Sequence, residues 1–376
     1  MNGWILMTMK NNETVSIIQI ILLMITAIGL KNHVIVIPPL LKEGGRDAWI
    51  AVIAMSLLLL VWGILLLYIY NTLKGKHIQA WLNDNIGKIG TNILLYIVSI
   101  YLLIMAATTL KETILWTSVS YLNQTPPFIL TIIFILPCML AAITNIQTIT
   151  ITNFFFLALV IVFGHFVAIT NTQFKDYSLL LPVMENGYVP ILKAMIYQGT
   201  GIIELITLLF LQHQFKSKLR YRHFIVLVVL LTWLTLGPLI GAIIEFGPKQ
   251  AAMQRYPAYE DWGLARLGTY IEHVDYLSIY QWLSGAFIRI TLILYLIRVL
   301  LNKKSKTVNV WITFISSILL GAIVMYPFDE RIFFNVLLNF LLPFTFWFLL
   351  GLSFFLGLLA FMYRKKLGAE KNVQEK

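Results

Sequence analysis

Apolar residues gather in this chain into runs far longer than a soluble core requires, and short polar stretches separate the runs. Crossing about 30 Å of hydrocarbon takes a helix of about 20 apolar residues. Ten runs are read as spans: 15–41, 49–70, 89–121, 128–143, 149–169, 190–212, 224–246, 269–299, 310–326 and 333–363. The fourth is the shortest and contains Pro137. Two spans are interrupted by polar residues at their middles. In the first the interruption is Gly29-Leu30-Lys31-Asn32-His33; in the sixth it is Gln198-Gly199-Thr200-Gly201. Lipid offers the backbone no hydrogen-bond partner, so a break is tolerated only where protein or a wet cavity supplies one. Broken helices in matching positions of two halves point to a small-molecule site near the midplane.

The ten spans divide into five and five, about 15–169 and 190–363. Each half opens on a broken helix and has a long third span, 89–121 or 269–299. At about 1.5 Å per residue these exceed the bilayer and must tilt. Five is an odd number, so the halves run in opposite directions through the membrane, as in inverted-repeat transporters. The two halves share the pattern and no residue-level identity. The expectation is an all-α integral membrane protein, one transmembrane domain over residues 1–376, with ten helices and helices 1 and 6 broken.

Composition agrees: 59% of the 376 residues are hydrophobic and 12% charged. The formal charge of +11 is distributed by loop. One set of loops holds Lys74, Lys76 and Lys88, then Lys216, Lys218, Arg220 and Arg222, then Arg298, Lys303, Lys304 and Lys306, and the tail adds Arg364, Lys365 and Lys366. Basic residues mark the cytoplasmic side, so both termini are placed there. The charge is a topology signal, and nucleic-acid binding is not expected. A signal peptide ahead of the first span is not expected, since no charged region or small-residue cleavage site is read there. With Cys138 as the sole cysteine, no internal disulfide forms. Residues 71–88 suit an amphipathic helix on the inner surface. The outer segments 170–189 and 247–268, with their prolines and aromatics, suit short helices over the site.

The candidate ligand residues follow from the breaks. Lys31 could face a ligand carboxylate, with Gly29, Asn32 and His33 beside it; alternatively it pairs with Glu204, because an intramembrane charge requires a partner or water. Gln198, Gly199, Thr200 and Gly201 allow close backbone approach, and Glu204 in the following turn could hold an amino group. The rival reading of the two glycines is a helix-packing surface. Tyr101, Met105 and Thr108 on the third span, and Ser284 and Gly285 on the eighth, complete the candidate lining. Lys111 and Glu112 are adjacent and point in different directions. Asp275, Trp282 and Arg289, at spacing seven, form one stripe. Arg289 is expected to pair within the bundle and Asp275 to meet the loop 247–268, both as structural residues. No hydrolase, P-loop or metal-ligand spacing occurs, so no catalytic residue, metal or cofactor is assigned.

Several stretches resemble the spore germination permease family, the B subunits of nutrient germinant receptors. They are Asn32-His33-Val34-Ile35-Val36-Ile37-Pro38 with Gly45-Arg46-Asp47-Ala48-Trp49; Leu181-Pro182-Val183 with Gly187 and Pro190; and Glu272-His273-Val274-Asp275 leading to Gln281-Trp282-Leu283-Ser284-Gly285-Ala286-Phe287-Ile288-Arg289. The family is similar to amino acid–polyamine–organocation transporters, which implies a LeuT-like five-plus-five fold. It also implies a small nutrient, often an amino acid, bound between spans one and six. A-type and lipoprotein C-type partner subunits, and the inner membrane of the spore, are implied as well. The fifth span lacks the lysine that proton-coupled relatives carry, which favours sensing over the alternative, secondary amino-acid transport.

Overall fold

The computed structural model describes residues 14–266, 273–302, 305–327 and 329–374. Eight helical stretches among the described residues are long and apolar enough to cross a membrane. The first, Ile17–Leu73, covers 57 residues and folds in two at Gly45. There φ is +54°, a conformation that suits glycine. Helix α1 is thus Ile17–Leu30, a π-helical stretch Lys31–Val36 and Ile37–Gly44, and α2 is Ala48–Leu73. Next come α3 (Ile78–Ser120), the shorter apolar α4 (Pro127–Ile143) and α5 (Ile146–Thr170). Helix α6 runs through Val189–Ile202, a 3₁₀ stretch Ile203–Thr207 and Leu208–Leu211. Then follow α7 (Tyr221–Phe246), α8 (Leu277–Leu300), α9 (Lys306–Met325) and α10, which joins Glu330–Val336, π-helical Leu337–Leu341 and Leu342–Gln374.

Local chemistry sets several of these boundaries. Ser16 and Gln19 form a reciprocal capping box at the start of α1, 3.2 and 2.9 Å. Asn145 Oδ1 accepts the Thr148 N–H at 2.9 Å and opens α5. Gly87, with φ +72°, bends α3, so its first turns form a separate arm that buries Ile78, Trp81 and Leu82. That arm is the helical part of the amphipathic segment expected at 71–88, with its apolar side packed on the bundle; residues 71–73 instead end α2. The long third span expected at 269–299 is instead a helix starting at Leu277; residues 267–272, where it would have begun, lie outside the described residues.

Helices α6 and α8 form the centre: 83% of the apolar window of each is buried, against 11% for α5 at the rim. Helix α8 packs on α1, α3, α4, α5 and α9, while α6 packs on α2 and on the last part of α1. Two apolar clusters fill the bundle. Along α1 the first ends at Ile28 and the second begins at Val34; along α6 they meet between Tyr197 and Ile202, and along α8 between Ala286 and Ile288. A polar layer therefore crosses the bundle at one level. At one end the strand-like Val15 fastens the start of α1 to the end of α6, its N–H bonded to Gln214 O and its carbonyl to the Lys216 N–H, both 2.9 Å. At the other, a loop helix, Pro257–Leu264, packs on α7 and on the π-helical stretch of α1.

Neither interrupted helix unwinds. Gln198-Gly199-Thr200-Gly201 stays α-helical and the change of winding comes one turn later, at Ile203–Thr207. The glycines are used for close packing. A Cβ on Gly199 would lie 2.6 Å from Met55 Cε and from Phe346 Cδ2, and one on Gly201 would land on Asn32 Oδ1. Pro38 and Pro39 lack an N–H and crowd the carbonyls of Val34 and Ile35, within the π-helical stretch of α1, whereas the 3₁₀ stretch of α6 holds no proline. The shifts to i+5 and i+3 bonding free a few backbone groups without opening either helix.

Candidate ligand site at a buried charge triad

The polar layer is built around Glu204, on the 3₁₀ turn of α6. Its carboxylate lies between two cations. Lys31 Nζ, from the π-helical stretch of α1, is 2.7 Å from Oε1. Arg289 of α8 makes a two-pronged contact, Nη1 to Oε2 at 2.7 Å and Nη2 to Oε1 at 2.9 Å. Further donors of both cations are used. Lys31 Nζ donates to Thr200 O at 3.0 Å, Arg289 Nη1 to Ala27 O at 2.8 Å, and Arg289 Nε to Thr109 Oγ1 at 3.1 Å. Lys31 and Arg289 are 2% and 3% exposed, so solvent does not screen them.

Two cations and one carboxylate leave one surplus positive charge in the interior. Desolvating a charge costs several kcal/mol unless it is paired. An anion arriving here gains what the protein lacks. Beside the triad lies a cavity of about 30 Å³ whose lining includes Met24, Tyr101, Met105, Glu204, Thr207 and Arg289. That volume holds about one or two waters, so a larger solute requires the helices to move apart.

Of the candidate residues, Lys31, Thr200 and Glu204 meet at the triad, and Tyr101 and Met105 line the cavity. Asn32 presses against Gly201, and both its amide atoms are buried with no partner, as is Gln198 Oε1. Gln198 Nε2 donates to Ser56 Oγ at 3.2 Å. The other candidates face elsewhere. Gly29 packs against Leu234 of α7, and His33 Nδ1 sits 3.4 Å from Leu234 O, because each is two residues from Lys31 and so lies on the opposite side of the helix. The Thr108 hydroxyl bonds back to Met105 O at 2.9 Å, and its neighbour Thr109 reaches Arg289. Ser284 bonds back to Gln281 O at 3.3 Å, and Gly285 packs on Leu30. Glu204 is held by both cations, and its contact with Lys31 is the pairing the sequence offers as the alternative to a ligand role.

Arg289 was the residue sequence reasoning placed outside the site. The stripe Asp275, Trp282, Arg289 does face one neighbour, α3: Tyr121 donates to Asp275 O at 3.0 Å, Trp282 to Thr113 Oγ1 at 3.2 Å, and Arg289 to Thr109. Among the described residues Tyr121 is the side-chain hydrogen-bond partner of Asp275, while the neighbouring Val274 packs with Trp262 and Ala265 of the loop. Lys111 and Glu112 diverge as expected. Lys111 caps α9 at Val324 O, 2.9 Å, while Glu112 accepts from Arg255 at 3.4 Å and Tyr256 at 3.1 Å. Trp282 stacks on Trp116, centroids 4.2 Å apart, and Tyr256 meets Trp282 edge-on at 5.2 Å. This aromatic stack is about 10 Å along α8 from Arg289, between the triad and the loop helix. Burial, and then the nearby Glu112 carboxylate, push the Tyr256 hydroxyl above its ordinary range.

Fold and site together define a multi-pass helical membrane protein with a buried polar centre. The chain belongs to the spore germination protein family, whose model matches residues 13–332. It is similar to spore germination protein XB of Bacillus anthracis, 41% identical over 329 residues, covering 88% of this chain and 92% of that protein.

Proposed function

We propose that this protein is the membrane-embedded subunit of a spore nutrient receptor, and that it binds a small carboxylate-bearing nutrient, an amino acid, at the triad. The observation that carries this reading is the surplus positive charge of Lys31, Glu204 and Arg289. The ligand's carboxylate takes up that charge, and the unpartnered amide oxygens of Asn32 and Gln198 are the acceptors left for its ammonium. Because the cavity is too small for an amino acid, binding favours an arrangement in which α1 and α6 separate from α3 and α8. Only such differential affinity can shift a conformational equilibrium. The shift passes to A-type and lipoprotein C-type partner subunits. In this reading the chain has ten crossings arranged as a LeuT-like inverted repeat and forms one domain. It lies in the spore inner membrane with both termini cytoplasmic, and the loop helix faces outward.

The test is spore germination followed by loss of optical density, in a host that lacks other nutrient receptors and carries this chain with its partner subunits. A response to an amino acid that disappears on deleting this chain alone supports the receptor. Absence of a response, with uptake of an amino acid by the isolated protein in liposomes, supports the alternative, a secondary amino-acid transporter using the same site.

A further inference from the structure

A second buried ionic cluster lies at the foot of the loop helix, away from the triad. Asp261 on that helix is 9% exposed, and its Oδ1 receives no donor. It faces Glu245, near the end of α7, whose side chain is 3% exposed. Both carboxyls converge over Gly241: from where a Cβ would stand there, Asp261 Oδ2 is 3.6 Å away and Glu245 Oε1 3.9 Å. Asn171, 1% exposed, ties the two elements together. Its Nδ2 donates to Glu245 Oε2 at 3.1 Å and to Asp261 O at 2.7 Å, and its own Oδ1 is buried without a partner. The cation in reach is Lys175, whose Nζ is 3.9 Å from Glu245 Oε1 and is already bonded to Ala168 O at 2.7 Å. Glu260, the preceding residue on the loop helix, adds a weaker negative field from outside the pair.

Two carboxylates, one distant ammonium and no donor to Asp261 Oδ1 leave the cluster one positive charge short. A pair of carboxyls at hydrogen-bonding range resolves this by keeping one proton between them. We propose that Glu245 and Asp261 share a single proton, and that this proton locks the loop helix onto the bundle. With the proton in place, the Asp261 O–H donates to Glu245. When the O–H bond breaks, the proton leaves to water and two buried carboxylates repel each other across the joint. The loop helix also packs on the π-helical stretch that carries Lys31, so releasing it loosens the cover over the triad.

The sign follows from the chemistry. Burial beside Glu245 raises the Asp261 carboxyl well above its ordinary range; in a released loop it titrates near the usual ~3.9. The lock is complete in acid and is lost as pH rises through the raised value. The test is hydrogen exchange read by mass spectrometry on the full chain in nanodiscs, without nutrient, from pH 5 to pH 8. Protection factors of the peptide covering 257–264, corrected for intrinsic exchange, are expected to fall about tenfold with rising pH. In Asp261→Asn, whose amide donates to Glu245 permanently, they are expected to stay high and flat. Glu245→Gln supplies the same donor from the other side and serves if the first variant misfolds. Protection that is flat in the natural protein, or equally pH-dependent in both variants, overturns the proposal. Protection that follows sodium, potassium or calcium at fixed pH also overturns it, in favour of a bound metal ion. No nutrient enters this experiment, so its failure leaves the receptor reading intact.

Discussion

Removing each member of the triad in turn should give an ordering that charge arithmetic dictates. Glu204→Gln deletes the carboxylate that both cations share, 2.7 Å from each. Breaking a buried pair by removing one partner costs about 3–5 kcal/mol, because the other charge remains. At about 2 °C per kcal/mol for a chain of this size, the thermal midpoint falls by about 6–10 °C. Arg289→Met leaves a neutral Lys31–Glu204 pair but strips hydrogen bonds from Ala27 O and Thr109 as well. Lys31→Met leaves the two-pronged Arg289–Glu204 contact, a neutral unit, and removes the surplus charge. It should cost less than about 1 kcal/mol. The assay is thermal unfolding of the purified protein in detergent, followed by size-exclusion chromatography after heating. The expected order of destabilisation is Glu204→Gln, then Arg289→Met, then Lys31→Met. Lys31→Met as destabilising as Glu204→Gln would refute the reasoning, since Lys31 would then be needed to balance the centre.

Gly201→Ala places a methyl on Asn32 Oδ1. It should cost about 1–3 kcal/mol by overpacking and shift the nutrient dose–response to higher concentration, with the protein still present in membrane blots. Arg255 bridges Glu112 and Glu330, both 3.4 Å, and its guanidinium also lies over the Tyr256 and Phe334 rings. Its side chain is 29% exposed, so Arg255→Ala should cost only about 1 kcal/mol. That corresponds to about fivefold faster hydrogen exchange in the peptide covering 257–264, and unchanged exchange there would argue against a clamp.

Hydrophobic run length alone made the membrane helices legible, because bilayer thickness imposes a length that few soluble helices share. The two polar interruptions were equally legible as special positions. What they do locally was not. Gly199 and Gly201 read either as close backbone approach to a ligand or as a helix-packing surface, and they are sites where Met55, Phe346 and Asn32 come too close for a Cβ. Glycine answers both demands, and one sequence does not separate them. His33 and Gly29 sit beside Lys31 in the chain but face α7, because residues two apart in a helix point to opposite sides, which the spacing alone makes legible. Arg289 could have been found by counting charges. Lys31 and Arg289 are both deep in spans, and Glu204 is the carboxylate at their level, so the two cations had to compete for it. The carboxyl pair of Glu245 and Asp261 lay further out of reach. It joins the end of a span to a loop, and only the folded chain brings them together.

The central claim is that the triad's surplus charge receives a carboxylate, and the most direct test uses spores carrying Lys31→Met in a host stripped of other nutrient receptors. Single amino acids and their decarboxylated amines would be compared by optical-density loss, with membrane levels checked by blotting. A charge-assisted hydrogen bond contributes about 1.5–3 kcal/mol, or about 10- to 150-fold in concentration. The account predicts a response to the amino acid and none to its amine. It also predicts that Lys31→Met moves the half-maximal concentration by at least about tenfold at unchanged protein level. An amine as effective as its amino acid, or Lys31→Met spores whose curve superimposes on that of the natural protein, would contradict it.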